Sequence, residues 1–175
     1  MNIILQTSRL YLREIEITDV HGMFELDSDP LVQRYVGNET ISSIEEARRN
    51  IEFIRVQYLE NGIGRWAVIE QDTHAFMGWA GFKLITVETN KHNNYFDLGY
   101  RLIRKYWGKG DATELAKICV NYGFQTLMLK EIFAIADETN IASRRVLEKA
   151  GLKSTETFLY DGVPHLWFQI SNPIT

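Results

Sequence analysis

The chain has 175 residues, 45% hydrophobic and 24% charged, which excludes a disordered segment and fits one compact domain over 1–175. Its net charge of −4 argues against a general nucleic-acid binder. No apolar run approaches the roughly 20 residues needed to cross a bilayer. The opening Asn2-Ile3-Ile4-Leu5 lacks the basic leader and length of a signal peptide, so a soluble cytoplasmic protein without membrane contact is expected. The single cysteine, Cys119, excludes an intrachain disulfide; it shares an apolar row with Ala112, Leu115, Ala116 and Tyr122, as a buried residue would. His21, His74, His92 and His165 are scattered without metal-ligand spacing, so no metal is expected.

Residues 9–15 alternate and predict a first strand. Thr18 or Asp19 can cap a short helix carrying Val20, Met23 and Phe24, broken at Asp29-Pro30. Ser42 and Ser43 each have a Glu three residues on, the capping-box spacing. Ile44, Ala47, Ile51, Ile54 and Tyr58 then form an apolar stripe that ends at Asn61-Gly62. Between 14 and 46 lie Glu14, Glu16, Asp19, Glu25, Asp27, Asp29, Glu39, Glu45 and Glu46, opposed only by Arg34. Such a run is either a solvated acidic face or a negative lip that draws in a cation.

The period then changes to two. Strands are predicted over 65–70 and 76–85, joined by a turn at 71–74, and over 95–103 after a polar loop. In the last, Phe96, Leu98, Tyr100 and Leu102 share one face while Asp97, Gly99 and Arg101 share the other. A helix runs to about Thr126, and the apolar stretch 132–136 reads as a central strand buried on both faces. A helix over 140–150 stops at Gly151, and 153–160 with 164–170 form a hairpin turned at Asp161-Gly162. The sum is a mixed α/β domain, a largely antiparallel sheet with a crossover through a central helix. Trp66, Trp79 and Trp167 are expected to pack in the core or on a sheet face.

One turn carries chemistry. Arg101 to Glu114 reads RLIRKYWGKGDATE, a strand entering a two-glycine turn that opens into a helix. Gly108 and Gly110 can take conformations closed to other residues, and without Cβ atoms they let an anion reach the backbone. The first N–H groups of the helix have no intrahelical partners and point out at its positive end. That is a phosphate or pyrophosphate site with Lys109 adding charge, though a merely tight connection has the same signature. Other phosphate loops fit worse: Lys109 lies between the glycines rather than after Gly-x4-Gly, and Thr113 stands where a dinucleotide fingerprint needs a small residue.

Lys105 to Gly110 resembles the Arg/Gln-x-x-Gly-x-Gly/Ala motif of the GNAT acyltransferase superfamily, with Lys105 at the Arg/Gln position. Leu98-Gly99-Tyr100, the block 106–114, the helix 140–152 and the opening Thr7-Ser8-Arg9-Leu10-Tyr11-Leu12-Arg13 are similar to its RimJ/RimL-like branch, the ribosomal-protein-alanine acetyltransferases. The resemblance implies the GNAT fold and transfer of an acetyl group from acetyl-CoA to a primary amine. It implies that Trp107, Gly108, Lys109, Gly110, Asp111 and Ala112 hold the CoA pyrophosphate through backbone N–H groups. Leu102, Ile103 and Arg104 would pair with the pantetheine amides as an added strand would. Asn140 would contact the pantetheine arm; its position also suits a helix N-cap.

Many such relatives carry a Tyr seven residues after that Asn as proton donor to the thiolate. Here Leu147 stands there, and the resemblance offers Ser143 instead. Ser143 shares an inward row with Val146, Leu147 and Ala150; its ordinary reading is a hydroxyl bonded to the preceding turn of its own helix. Asp97 is the base candidate, against the reading of an exposed strand carboxylate, with Glu156 a weaker one. The acceptor is a protein or peptide α-amine or a small-molecule amine, and the protein a monomer or homodimer. Two alternatives stay open: a non-catalytic CoA-binding or sensory module, and an interaction protein for which the glycine turn would be gratuitous.

Overall fold

The computed structural model describes residues 2–174. Strands β1 (Ile3–Gln6), β2 (Leu10–Glu14), β3 (Arg65–Glu70), β4 (Phe76–Ile85) and β5 (Tyr95–Leu102) form an antiparallel run. β6 (Glu131–Asp137) joins β5 in parallel, and the terminal hairpin of β7 (Lys153–Tyr160) and β8 (Val163–Ser171) adds on through β8. The order across the eight-stranded sheet is β1-β2-β3-β4-β5-β6-β8-β7. This is the expected mixed, largely antiparallel sheet with one parallel crossover. β1 goes beyond the sequence reading: four residues carry no period, and only pairing with β2 makes them a strand.

The helices are α1 (Val20–Asp27), α2 (Pro30–Gln33), α3 (Ile44–Asn61), α4 (Asp111–Gln125) and α5 (Ile141–Lys149). Ser43 is the N-cap of α3: Glu46 N–H donates to its Oγ, and Glu46 Oε2 accepts from the Ser43 and Ser42 N–H groups at 3.0 and 2.7 Å. Asp29-Pro30 ends α1 but also starts α2, with Asp29 accepting from Leu31 N–H and Pro30 in the first turn, where its missing N–H is harmless. Asp19 precedes α1 without capping it, because its carboxylate takes the Arg13 guanidinium at 2.7 and 2.8 Å.

Alternation along the strands assigns the two faces. Phe82 and Leu98 stand opposite each other facing α4, where Gly123 lets Phe82 approach and Trp66 meets Tyr122 edge-on at 5.5 Å. The other face meets α1 and α3: Tyr58 of α3 bonds the backbone of Ile15 and Arg65, and Lys83 lies over Phe53 at 5.4 Å. Leu115, Ala116 and Cys119 of α4 are fully buried, and burying a Leu of this kind is worth about 1.5–3 kcal/mol. β6 is apolar on both faces, with Ile132 and Ala134 facing the main core and Phe133 an aromatic cluster around Trp167.

β5 and β6 touch at one registered pair among the described residues, Asp97 opposite Phe133. Beyond it β5 continues to Leu102 with no partner on that side, so the sheet opens into a gap. A bulge in β4 fixes the far end of β5: the register slips beside Gly78, and the Met77 carbonyl accepts Ile103 N–H at 2.8 Å. Gly78 sits at φ +144°, and a Cβ there would lie 2.1 Å from the Arg101 carbonyl oxygen. Gly78→Ala is therefore expected to destabilise by about 3 kcal/mol, read from the urea midpoint. A loss under about 0.5 kcal/mol, within the range of ordinary surface changes, would mean that this approach relaxes freely.

Candidate functional site

The chain leaves β5 through a tight 3-10 turn at Arg104–Tyr106. The Trp107 indole N–H donates to the Leu102 carbonyl at 2.7 Å, and Tyr106 and Trp107 N–H groups close on the carbonyls of Ile103 and Arg104. These bonds use the carbonyls of Leu102, Ile103 and Arg104 within the turn, so the part of β5 open to an extended ligand is its unpaired edge along the gap. Gly108 (φ +74°) and Gly110 (φ +84°) are left-handed, and a Cβ on either would meet nothing within 4 Å. Gly110 is also the N-cap of α4 and offers no side chain to its first N–H groups. Residues 108–112 thus present backbone donors at a positive helix end, while the Trp107 N–H stays in the turn, with Ala112 in the first turn and Lys109 exposed beside it.

Two acids sit in that first turn, Asp111 and Glu114. They would repel an anion, but both are paired with Arg9, the residue before β2, whose single charge offsets one of the two. Its Nη1 reaches Asp111 at 2.9 Å and its Nε reaches Glu114 at 3.1 Å. The Asp111 side chain is only 4% exposed, whereas Arg9 remains 47% exposed at the rim.

On α5, Asn140 is the N-cap, its Oδ1 accepting Ser143 N–H at 3.2 Å. Ser143 does not bond back to its own helix. Its Oγ lies 3.0 Å from the Tyr100 hydroxyl, which also donates to the Ser143 carbonyl at 3.0 Å. Leu147 is buried beneath it. Burial raises the Tyr100 phenol above its ordinary pKa, more than its bond with Ser143 lowers it.

Asp97 lies on the opposite face of β5, so the sheet does not bring it against Ser143. It is not an exposed carboxylate: its side chain is 15% exposed and its Oδ2 accepts from Arg65 Nη2. Arg65 Nη1 also donates to the carbonyls of Asp97 and Gly81. Gly99 makes room, since a Cβ there would stand 2.7 Å from Arg65 Nη2. Burial pushes the Asp97 carboxyl up, with Arg65 opposing. Burial, then Arg65, pushes the neighbouring Lys83 ammonium down. The Trp79 ring has the guanidinium groups of Arg65 and Arg101 over it, at 5.3 and 4.9 Å.

The acidic segment is less negative than its count implied. Arg13 pairs with Asp19, Lys105 with Glu25 at 2.9 Å, Arg101 with Asp27 at 3.1 Å and Arg104 with Asp29 at 3.0 Å. Glu25, Ser28 and Asp29 line one side of a cleft of about 550 Å³ whose other side is Ile103, Arg104 and Lys105. Cys119 is fully buried and its thiol is pushed up to about 12, which removes it as a nucleophile. Glu156 is exposed on β7, opposite Trp167. No three His, Cys, Asp or Glu side chains come together as a metal site among the described residues.

Sequence reasoning did not single out Arg9, Arg65 or Tyr100 as site residues. Arg9 and Arg65 act through acids far along the chain, and Tyr100 reads as an apolar-face residue until its hydroxyl meets Ser143. The fold and motifs agree with known proteins. The acetyltransferase (GNAT) domain profile matches residues 9–153. An uncharacterised N-acetyltransferase of Bacillus subtilis, YoaA, is 36% identical over 86% of this chain and 82% of its own. The FsC-acetyl coenzyme A-N(2)-transacetylase of Aspergillus fumigatus is 30% identical over 91% of this chain and 70% of its own. Among solved structures, the ribosomal L7/L12 alpha-N-protein acetyltransferase RimL in complex with coenzyme A superposes with a TM-score of 0.80. It is 15% identical, covering 97% of this chain and 98% of that one. A profile match across most of its length, and a sheet parted beside a glycine-opened helix, make this chain a member of the GNAT acetyltransferase family.

Proposed function

We propose that the protein transfers an acetyl group from acetyl-CoA to a primary amine, an α-amine of a protein or peptide or a small-molecule amine, by direct attack. The observation that carries this is the uncapped start of α4 behind two left-handed glycines, at the mouth of the β5–β6 gap. The pyrophosphate of CoA fits the turn of Trp107, Gly108, Lys109, Gly110, Asp111 and Ala112 through the backbone donors of 108–112, since the Trp107 N–H is bonded to Arg104, with Lys109 as the nearby cation. The pantetheine arm would lie in the gap as a partial strand, along the unpaired edge of β5 that leads to Leu102, Ile103 and Arg104, with Asn140 across from it.

The amine must arrive neutral, attack the thioester carbonyl and lose a proton while the thiolate departs. An α-amine titrates near 7.7–8.0 and is partly neutral already, so it asks less of a base than a lysine amine near 10.4. Ser143 Oγ, beside the gap, is the group to donate a hydrogen bond to the leaving sulfur. Asp97, its carboxyl raised by burial, is the group to accept the proton from the other face, directly or through water. A CoA-binding module without catalysis is the second reading; the apolar, buried Leu147 favours it.

Thiol release from acetyl-CoA over a panel of amines and N-terminal peptides separates these readings: turnover supports the enzyme, and binding without turnover on any acceptor supports the module. Ser143→Ala and Asp97→Ala should each lower turnover with CoA binding retained; an unchanged rate removes that residue from the mechanism. Gly110→Ala should cost about 1–2 kcal/mol of stability for its left-handed φ but weaken CoA binding at least about tenfold by calorimetry, because the new Cβ points into the space a phosphate needs.

Arg65→Met tests the pair that holds Asp97. Without the guanidinium only the Lys83 charge still opposes burial, so the folded-state pKa of Asp97 rises further above its unfolded value. An acid raised by folding takes up a proton on folding, and its stability contribution falls as pH rises through that range. The variant's deficit against wild type should therefore be larger at pH 8, about 3 kcal/mol, than at pH 5. A deficit that grows toward acid would contradict this assignment.

A further inference from the structure

The Tyr100–Ser143 contact contains more hydrogen-bond geometry than packing requires. The Tyr100 oxygen is 3.0 Å from both the carbonyl and the Oγ of Ser143, and it has a single proton. Two arrangements satisfy these distances. In one, Tyr100 donates to the Ser143 carbonyl and the Ser143 hydroxyl donates back to Tyr100. In the other, Tyr100 donates to Ser143 Oγ, and the Ser143 proton is released to point elsewhere. They differ by two hydroxyl rotations and by no movement of heavier atoms.

Elsewhere means the gap. Tyr100 lies on β5 past the Asp97–Phe133 pair, where the strand has lost its neighbour. Ser143 has no bond to the preceding turn that would hold its proton back, and Leu147 on the same face offers no hydroxyl. The Tyr100 phenol is raised by burial, so it stays protonated and donates rather than ionises.

We infer that Tyr100 is a positioning residue for the acyl transfer: its hydroxyl holds Ser143 Oγ beside the gap and turns to donate to that oxygen as charge gathers on the departing sulfur, aiming the Ser143 proton at the thiolate. This rests on the acetyl-transfer reading. No proton changes owner in the step. The acyl carbon, now bonded to the amine nitrogen, loses its C–S bond, the sulfur keeps the electron pair, and the hydroxyl pair stabilises that charge until the thiolate is protonated from solvent.

The test uses the full chain with acetyl-CoA and the best acceptor from the amine panel. Tyr100→Phe should lower kcat about tenfold, the worth of the one hydrogen bond that aims Ser143, with the KM for acetyl-CoA unchanged within about twofold and little change in Tm. In a Ser143→Ala background the same substitution should do nothing further. A Tyr100→Phe enzyme with wild-type kcat, one altered in KM alone, or losses that multiply in the double variant would each overturn the inference. Wild-type turnover in the same assay separates the two levels. If wild type turns over and Tyr100→Phe matches it, only this inference falls; if wild type acetylates nothing, the acetyl-transfer reading falls and takes this role with it.

Discussion

The parting of β5 from β6 after a single paired position is the constraint on which the rest depends. Parallel neighbours cannot be joined by a hairpin, so the chain must travel from the end of β5 to the start of β6 through a crossover. Here α4 is that crossover, and its start lies where β5 has just lost its partner. An unpaired strand edge and an unsatisfied helix terminus are both liabilities in a folded protein. Placed side by side they become complementary parts of one groove, with backbone donors at its mouth and an open edge along its wall.

Because side chains alternate along β5, the two sides of the gap carry different chemistry. Tyr100 points to the face of α4 and α5 and meets Ser143, while Asp97 points to the face of α1 and α3 and meets Arg65. Their separation is a consequence of odd and even numbering on one strand. It suits a transfer reaction in which the leaving group and the incoming nucleophile need separate attendants. The acids at the start of α4 follow a similar logic. Asp111 and Glu114 favour the positive helix end, and Arg9 offsets one of the two charges they would otherwise turn on an arriving anion.

What the sequence made legible was local. The Ser43–Glu46 capping box, the stripe of α3, the two-residue period of β3 to β5 and the glycine turn each depend on neighbours within a few positions, and the fold class followed from their order. The RimJ/RimL-like motifs pointed to the family by the same short blocks. Asp29-Pro30 reads only as a break until α2 is seen to start there, because the same cap and proline serve both purposes. The unread parts are contacts between distant positions: Arg9 with Glu114, Tyr100 with Ser143 and Arg65 with Asp97 lie 105, 43 and 32 residues apart. The same blindness made the stretch 14–46 look uniformly acidic, whether as a solvated face or a lip, since the cations that neutralise four of its acids come from elsewhere, three of them from β5 and the turn after it.

That neutralisation changes how an acceptor would be handled. The face around Asp97 holds Arg65, Arg101 and Lys83 against Asp97 and Asp27, so it is not a trap for cations. The same surroundings push the Lys83 ammonium toward its neutral form, through burial and the nearby Arg65 charge. An acceptor amine entering there would meet that same environment and lose its proton more readily than in water. Only the neutral amine is a nucleophile, and in the proposed reaction a cationic floor would therefore assist the attack by depressing the acceptor's pKa. Asp97, already tied to Arg65, would then need to serve as a transient proton acceptor rather than as a strong base.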